Sequence, residues 1–513
     1  MGPETFDALL RHWAALRPDR RALDGPDGAY GYAQLLEATD RLLAGMQALG
    51  LGMGDRVAWL GKNSALYFML LYAAGRAGIV MVPIGWRLAD VELQWIAGNA
   101  QVKAVFLGDG FTRSRALFAD LATKPRCIDA DEARGWLAQA NKPKIAPSQS
   151  DDAVLQLYTS GTTGHPKGAV LSNKNLFQLR NHPDAAQSAY FDIRQDEEIL
   201  IAMPCAHIGG TGLGTMALGA GVGAVILSEF EPGAVFEAIE NKGITRLFAV
   251  PAALQMLVND PRSANADFSR LRHILYGAAP IPLELLRQCL ATFGSGFMQA
   301  YGMTETTGTV VSLPPEDHDP SGTPRMRSAG KALPGVQLRI VDARGKDLPS
   351  GAIGEVVIRS SNTMLGYWQL PETTAEAVSS EGWIRTGDAG FLDDEGYLFI
   401  QDRVKDMIIS GGENVYPAEV ESAIYGHPAV ADAAVIGVPD DKWGEAVKAC
   451  VVPKAGISVD EASIINYARE RIAAFKCPKS VDFVAEMPRN ASGKILRRKL
   501  REPYWADRDR QVN

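Results

Sequence analysis

The residues with the clearest chemical use lie between Tyr158 and Gly168, where the chain reads Tyr-Thr-Ser-Gly-Thr-Thr-Gly-His-Pro-Lys-Gly. Gly161 and Gly164 let backbone N–H groups come close to an anion. The hydroxyls of Thr159, Ser160, Thr162 and Thr163 add donors, and Lys167 adds a point charge. Entered from an apolar, strand-like segment at 153–157, such a run makes a clamp for a polyphosphate. It is not a Walker loop, which needs G-x-x-x-x-G-K-[ST]. Here Pro166 precedes Lys167 and Gly168 follows it.

The rest of the chain must carry and cover that loop. At 513 residues it is long enough for more than one domain. Hydrophobic residues make up 46% and charged residues 22%, the balance of a globular protein. A formal charge of −8 argues against a nucleic-acid partner. The first residues, Met-Gly-Pro-Glu-Thr-Phe, have no basic stretch followed by an apolar one, so no secretory leader is expected. Five scattered cysteines (Cys127, Cys205, Cys289, Cys450, Cys477) lack metal or redox spacing. They predict reduced thiols in a cytoplasmic protein. The segment 65–86 is apolar apart from Arg76, but Gly75, Gly78 and Pro83 interrupt it. With 56–60 in front, a helix over 64–74 and a strand over 79–82 give a buried β-α-β unit rather than a membrane span.

Apolar strand-like runs alternate with helical stretches from about 50 to 310, at 104–107, 155–158, 198–202, 224–227, 246–250 and 273–276. This predicts an α/β fold: a large N-terminal domain, 1–402, of stacked, mostly parallel sheets with helices. Residues 314–334, rich in Pro, Gly and charge, predict an exposed loop. Short strands with tight turns follow at 337–341, 355–359 and 397–401, a β-rich subdomain over about 315–402. Beyond it, a helix at 417–425, strands at 433–438 and 446–452, and a helix over 459–474 describe a small α+β C-terminal domain, 403–513.

Further motifs recur along the chain in a fixed order: Met203-Pro-Cys-Ala-His-Ile-Gly209, Tyr301-Gly-Met-Thr-Glu-Thr306, Gly354-Glu355, Thr386-Gly-Asp388, Arg403-Val-Lys-Asp406, Gly411-Gly-Glu-Asn-Val-Tyr-Pro417 and Asn490-Ala-Ser-Gly-Lys494. Together with the phosphate loop, their order and identities resemble the adenylate-forming enzymes: acyl-CoA synthetases, luciferases and peptide-synthetase adenylation domains. The resemblance covers nearly the whole chain.

It implies ATP, Mg²⁺ and coenzyme A as reactants and cofactor, with a small-molecule carboxylic acid as substrate. In the first half-reaction a carboxylate attacks the α-phosphate of ATP, so two anions must be held in line by fixed cations and donors. The resemblance makes Lys494 the cation bridging carboxylate and α-phosphate; as plain sequence, Arg497, Arg498, Lys499 and Arg501 beside it read as a solvated basic tail. Glu305 suits Mg²⁺, a hard cation that takes carboxylate and phosphate oxygens, and Thr304 can donate to phosphate. Tyr301 and Gly302 on one side and Gly277, Ala278 and Ala279 on the other suit the two faces of adenine. Asp388 can accept both ribose hydroxyls and Arg403 can donate to the ribose. Trp383, just before that aspartate, reads as core.

In the second half-reaction the CoA thiol attacks the acyl carbonyl. The resemblance implies a small domain that swivels about Lys405, withdrawing Lys494 and bringing in Gly411 and Gly412. Trp443, Phe475 and Lys476 are then candidates for the CoA nucleotide, and Trp443 reads equally as a packed aromatic. His207, Gly212 and Ala300 are assigned to the acid pocket. Gly209, Gly210, Gly212 and Gly214 leave room for a bulky acid, or let a helix pack closely on its neighbour. Ala300 stands where malonate-specific relatives carry arginine, which disfavours a dicarboxylate. The expected substrate is a medium- or long-chain fatty acid, then an aromatic, phenylpropanoid or steroid side-chain acid. The competing reading is an acyl-AMP ligase that loads a carrier protein. Membrane contact is expected to be peripheral at most, and a homodimer is allowed.

Overall fold

The structure, a computed structural model, describes residues 2–139, 141–146, 148–159, 165–403, 406–440, 442–489 and 493–506. Two large sheets and a smaller one precede a separate C-terminal sheet. The seven-stranded sheet runs Gly366–Tyr367, Lys167–Ser172, Ala153–Thr159, Val80–Ile84, Arg56–Leu60, Ala104–Leu107 and Arg126–Asp129. Its last five strands are parallel, and Val80–Ile84 and Ala104–Leu107 read as unbroken apolar runs because both faces are covered. The expected β-α-β unit is present: strand Arg56–Leu60, helix Ala65–Arg76 and strand Val80–Ile84, with every residue of that helix buried. Ser64 caps the helix by accepting from the N–H of Tyr67.

Arg76 ends this helix with no exposure to water. Its guanidinium donates to Asp7 at 2.8 Å and to the Thr39 hydroxyl at 2.7 Å, and pairs with Asp40 at 2.8 Å. The first helix, Phe6–Leu16, and the second, Tyr32–Ala48, are thereby tied to the core. Among the described residues no helix is long and apolar enough to cross a membrane.

The nine-stranded sheet carries strands Glu198–Ile201, Arg246–Ala249, His273–Gly277 and Gly296–Met303 side by side in parallel. Strand Gly308–Leu313 then turns back along the last of these. Its edge corrects one expectation. Residues 314–334 are not simply an exposed loop: Lys331–Ala332 pairs with Gly308–Leu313, and Met326, Ala329 and Leu333 are buried. The apolar residues between the prolines find a sheet edge to cover.

The β-rich subdomain is one antiparallel sheet, Gln337–Val341, Gly354–Arg359, Ile384–Leu392 and Leu398–Arg403. Trp383 lies on its surface between the guanidiniums of Arg339 and Arg359, each 4.8 Å from the ring, and not in the core. The C-terminal sheet joins Glu413–Val415, Ile408–Ser410, Gly444–Pro453, Val430–Asp440 and Ser480–Phe483, with helices Pro417–Tyr425 and Glu461–Arg469 packed on it. The second helix is shorter than the expected 459–474. After Arg469 the chain breaks into turns that bury Cys477 just ahead of Pro478, a residue that disfavours helix before it.

Candidate active site

The phosphate loop hangs from a hairpin, Ala153–Thr159 with Lys167–Ser172, in which Thr159 stands opposite Lys167. Ser160, Gly161, Thr162, Thr163 and Gly164 lie outside the described residues. The base of the loop is braced from the side. Tyr158 donates its hydroxyl to Asn99 at 2.6 Å, and the His165 ring stacks on Trp95 at 4.9 Å, nearly parallel at 8°. The short strand Gly366–Tyr367 pairs with the hairpin, setting the Tyr367 ring 5.3 Å from the Lys167 ammonium.

Tyr367 also reaches the second functional turn. Its hydroxyl donates to Glu305 Oε1 at 2.8 Å, and the Thr159 hydroxyl approaches the same oxygen at 3.5 Å. Glu305 sits in a tight turn, Thr304–Thr306, where strand Gly296–Met303 reverses into Gly308–Leu313. The Met303 N–H donates to Thr306 Oγ1 at 2.9 Å, and Thr307 takes a left-handed φ of 54° while its hydroxyl holds Asn362 O at 2.7 Å. At Gly302 a Cβ would stand 1.9 Å from Gly308 O, so the reversal is open only to glycine.

Glu305 is buried, and among the described residues no group of three or more His, Cys, Asp or Glu could hold a metal. One carboxylate, held by hydroxyls on Oε1, is a donor set that fits Mg²⁺ when substrate phosphates supply the other oxygens.

The turn expected to face adenine follows strand His273–Gly277. A Cβ at Gly277 would lie 2.0 Å from Ala300 O, so the two strands meet here at glycine distance. Ala278 has φ 65° and is exposed, opening the turn outward. Beside it, Tyr301 is fixed through its hydroxyl, which donates to Asp388 Oδ2 at 2.7 Å. Arg403 pairs with the other oxygen, Oδ1, at 2.9 Å, and also donates to Thr386 O at 2.9 Å. A carboxylate oxygen can accept more than one hydrogen bond, so Asp388 keeps capacity for further hydroxyl donors. Burial, then the Asp388 charge, pushes the Tyr301 phenol well up, so it stays a donor.

Lys494 is half-buried and shares the electrostatic surroundings of this pair. Burial and the positive charge of Arg403 lower its pKa to about 8, against the pull of Asp388 and Asp406. Described residues on either side of it are tied down. Arg489 donates to Gly493 O at 2.6 Å and is itself held by Asp432 at 2.6 Å. Arg497 is no solvated tail residue: its guanidinium donates to both oxygens of Glu421 at 2.8 Å and lies 3.6 Å from Asp402. Asp402, in the last strand of the β-rich sheet, also accepts the Ala418 N–H at 3.0 Å. Lys405 lies outside the described residues.

The acid-pocket candidates lie around helix Ile208–Ala220. His207 precedes it, with burial lowering its pKa and no hydrogen-bond partner for Nε2 among the described residues. It lines a small cavity with Asn63, Trp86, Arg87 and Cys205. Close packing accounts for two of the glycines: a Cβ at Gly214 would stand 2.2 Å from the Phe68 ring, and one at Gly210 would stand 2.5 Å from Met203 O. Gly212 meets only Ile208, at 3.3 Å, and Ala300 is buried opposite Gly277. Tyr276 belongs to the core behind the sheet, its hydroxyl 2.9 Å from His318 Nε2.

The CoA candidates fall into two groups. Gly411 and Gly412, with φ 63° and 86°, form a turn whose Gly411 N–H donates to Trp443 O at 2.8 Å, and Trp443 is 43% exposed. Lys476 is bound by Glu419 at 2.7 Å, beside an exposed Phe475.

Comparison with known proteins fits this geometry. The AMP-binding enzyme family matches residues 10–368, and its C-terminal domain matches residues 419–494. The chain belongs to the AMP-binding enzyme family. Its relatives include a fatty acid–acyl-carrier-protein ligase, ScoC, of Streptomyces coeruleorubidus, 41% identical over 94% of this chain and 93% of its own. A feruloyl-CoA synthase of an Amycolatopsis species is 39% identical over 96% and 97%. The crystal structure of ATP-bound MatB from Rhodopseudomonas palustris superposes with a TM-score of 0.87 at 33% identity, covering 97% of this chain and 99% of that one. This AMP-binding enzyme is an adenylate-forming, ATP-dependent acyl-CoA synthetase in its reaction class.

Several residues of the AMP-binding enzyme's cleft carry no motif signal. Tyr367 reaches Glu305 from a two-residue strand, and the His165–Trp95 stack joins the loop to a helix far upstream. The Arg497–Glu421 pair was hidden in a basic run, though an arginine at the start of a terminal helix and a glutamate inside an apolar one are complementary in hindsight.

Proposed function

We propose that this AMP-binding enzyme activates a medium- or long-chain fatty acid with ATP and passes the acyl group to coenzyme A. The observation that carries the reading is the anchored carboxylate of Asp388, gripped by Tyr301 and Arg403, with the Lys494 ammonium in the same field.

In the first step a carboxylate oxygen forms a bond to the α-phosphorus while the α–β bridging P–O bond breaks, giving acyl-AMP and pyrophosphate. Asp388 holds the ribose, Tyr301 backs adenine, and Thr304 donates to the phosphate. Lys494 offsets the charge gathering between the two anions. Mg²⁺, held through Glu305, would screen the phosphate charge. In the second step the thiol sulfur bonds to the acyl carbon, the acyl–phosphate C–O bond breaks, AMP leaves, and the thiol proton passes to solvent. Withdrawal of Lys494 about a pivot near Lys405, between domains 1–402 and 403–513, would clear the way for the Gly411–Gly412 turn.

The buried methyl of Ala300, and Gly212 with Ile208 against it, support a hydrocarbon acid. A second reading has its own support in the 41% identity to a ligase whose thiol acceptor is a carrier protein. One assay separates them: pyrophosphate release with Mg²⁺, ATP and a panel of acids, followed by free CoA or a phosphopantetheinylated carrier protein. A fatty acyl-CoA product is expected. Thioester on the carrier alone establishes the second reading, acetate or malonate as best substrate overturns the acid assignment, and an aromatic acid as best substrate replaces the fatty acid.

A further inference from the structure

Helix Pro251–Asn259 of the nine-stranded layer meets the C-terminal part of the chain at two points. Just ahead of it, Val250 underlies the turn that presents Lys494: a Cβ at Gly493 would stand 3.1 Å from Val250 Cγ2. Further along, Gln255 Oε1 accepts the Tyr425 hydroxyl at 2.7 Å. Tyr425 ends helix Pro417–Tyr425 and packs its half-buried ring on the core beneath Gln255. Behind it, Arg489 links Gly493 to Asp432, so the residue next to Lys494 is anchored to the C-terminal sheet.

We propose that Tyr425 and Gln255 form the latch that holds Lys494 in its docked pose, making both positioning residues for acyl-AMP formation. The proposal rests on the ligase reading above. Neither side chain belongs to the nucleotide or acid sites described above. The bond joins the part of the chain that carries Lys494 to the part that carries the phosphate loop. Swinging the lysine out must break it, so it biases the balance between two poses without touching the chemistry of either. A hydroxyl–amide bond of this kind stabilises modestly, which suits a contact made and broken in every turnover.

The test removes the bond from each side, with Tyr425→Phe and Gln255→Leu, in the full-length enzyme. Step one is read as acid-dependent ATP–pyrophosphate exchange with decanoate, or with ferulate where that is the better substrate. Step two is read as thioester formation from the matching synthetic acyl-AMP and CoA. Each variant should lose roughly two- to tenfold in exchange, while step two is unchanged or faster. The double variant should lose no more than either single one, because one bond is removed in all three. Unchanged exchange in both variants, or equal loss in both steps, overturns the latch. Absence of exchange in the wild-type enzyme with every acid overturns the ligase reading itself.

Discussion

Tyr301 and Asp388, 87 residues apart in the chain, are joined by a 2.7 Å hydrogen bond in which the phenol donates to the carboxylate. The bond fixes an aromatic face and a carboxylate relative to one another. Tyr301→Phe keeps the ring but takes away one of the two groups that grip Asp388, leaving Arg403. Hydrogen bonds to charged groups are worth about 1.5–3 kcal/mol. The KM for ATP should rise roughly fivefold or more, with a smaller change in kcat, measured by steady-state pyrophosphate release.

Lys494→Ala should divide the reaction. Removing a fixed donor to developing charge costs roughly 10²–10³-fold in rate. That loss should fall on acyl-AMP formation, while thioester formation from supplied acyl-AMP continues near the wild-type rate. Single-turnover assays of each step check it. Equal losses would mean the lysine serves both steps from one pose.

The same lysine sets a pH limit. Burial and Arg403 disfavour its charged form, lowering its pKa to about 8 from the usual value above 10. Raising the pH through about 8 therefore removes the proton that the first step needs. The free enzyme's kcat/KM for ATP should fall about tenfold per pH unit above this point. Lys494→Arg, charged throughout, should show no such break even if its rate is lower.

Arg497→Met tests the buried charge cluster. It leaves Glu421 and Asp402 without their guanidinium in a site where Arg497 is 11% exposed. Breaking one side of such a pair costs about 3–5 kcal/mol, seen as a lower urea midpoint. Burial already raises the Glu421 carboxyl, and Arg497 opposes this. Without the arginine that pKa climbs further, so the variant's deficit should be largest near neutral pH. It should shrink as pH falls through the raised value and the carboxyl is neutralised in the fold.

The sequence spoke most clearly where chemistry or burial is local. Strands Arg56–Leu60 and Gln337–Val341 and helix Pro417–Tyr425 fall where apolar patterning places them. Tyr301, Asp388 and Arg403, each singled out by its own motif, meet in one hydrogen-bonded group. Partnerships across the chain were silent. Tyr367 finds Glu305 over 62 residues and Tyr425 finds Gln255 over 170, and neither tyrosine differs in sequence from an ordinary packed aromatic. Local composition also misled at Trp383, whose ring lies between two arginines because an antiparallel sheet leaves one face to water. The glycines of helix Ile208–Ala220 left two readings open, and the ring of Phe68 closes one of them at Gly214.

The anchoring of Arg76 bears on how the protein can be handled. Asp7 sits on the first helix, so an enzyme shortened past that helix would leave this buried cation with only Asp40 and the Thr39 hydroxyl, one carboxylate short. Tags belong upstream of an intact leading helix, and proteolytic nicking there would be expected to cost solubility before it costs affinity.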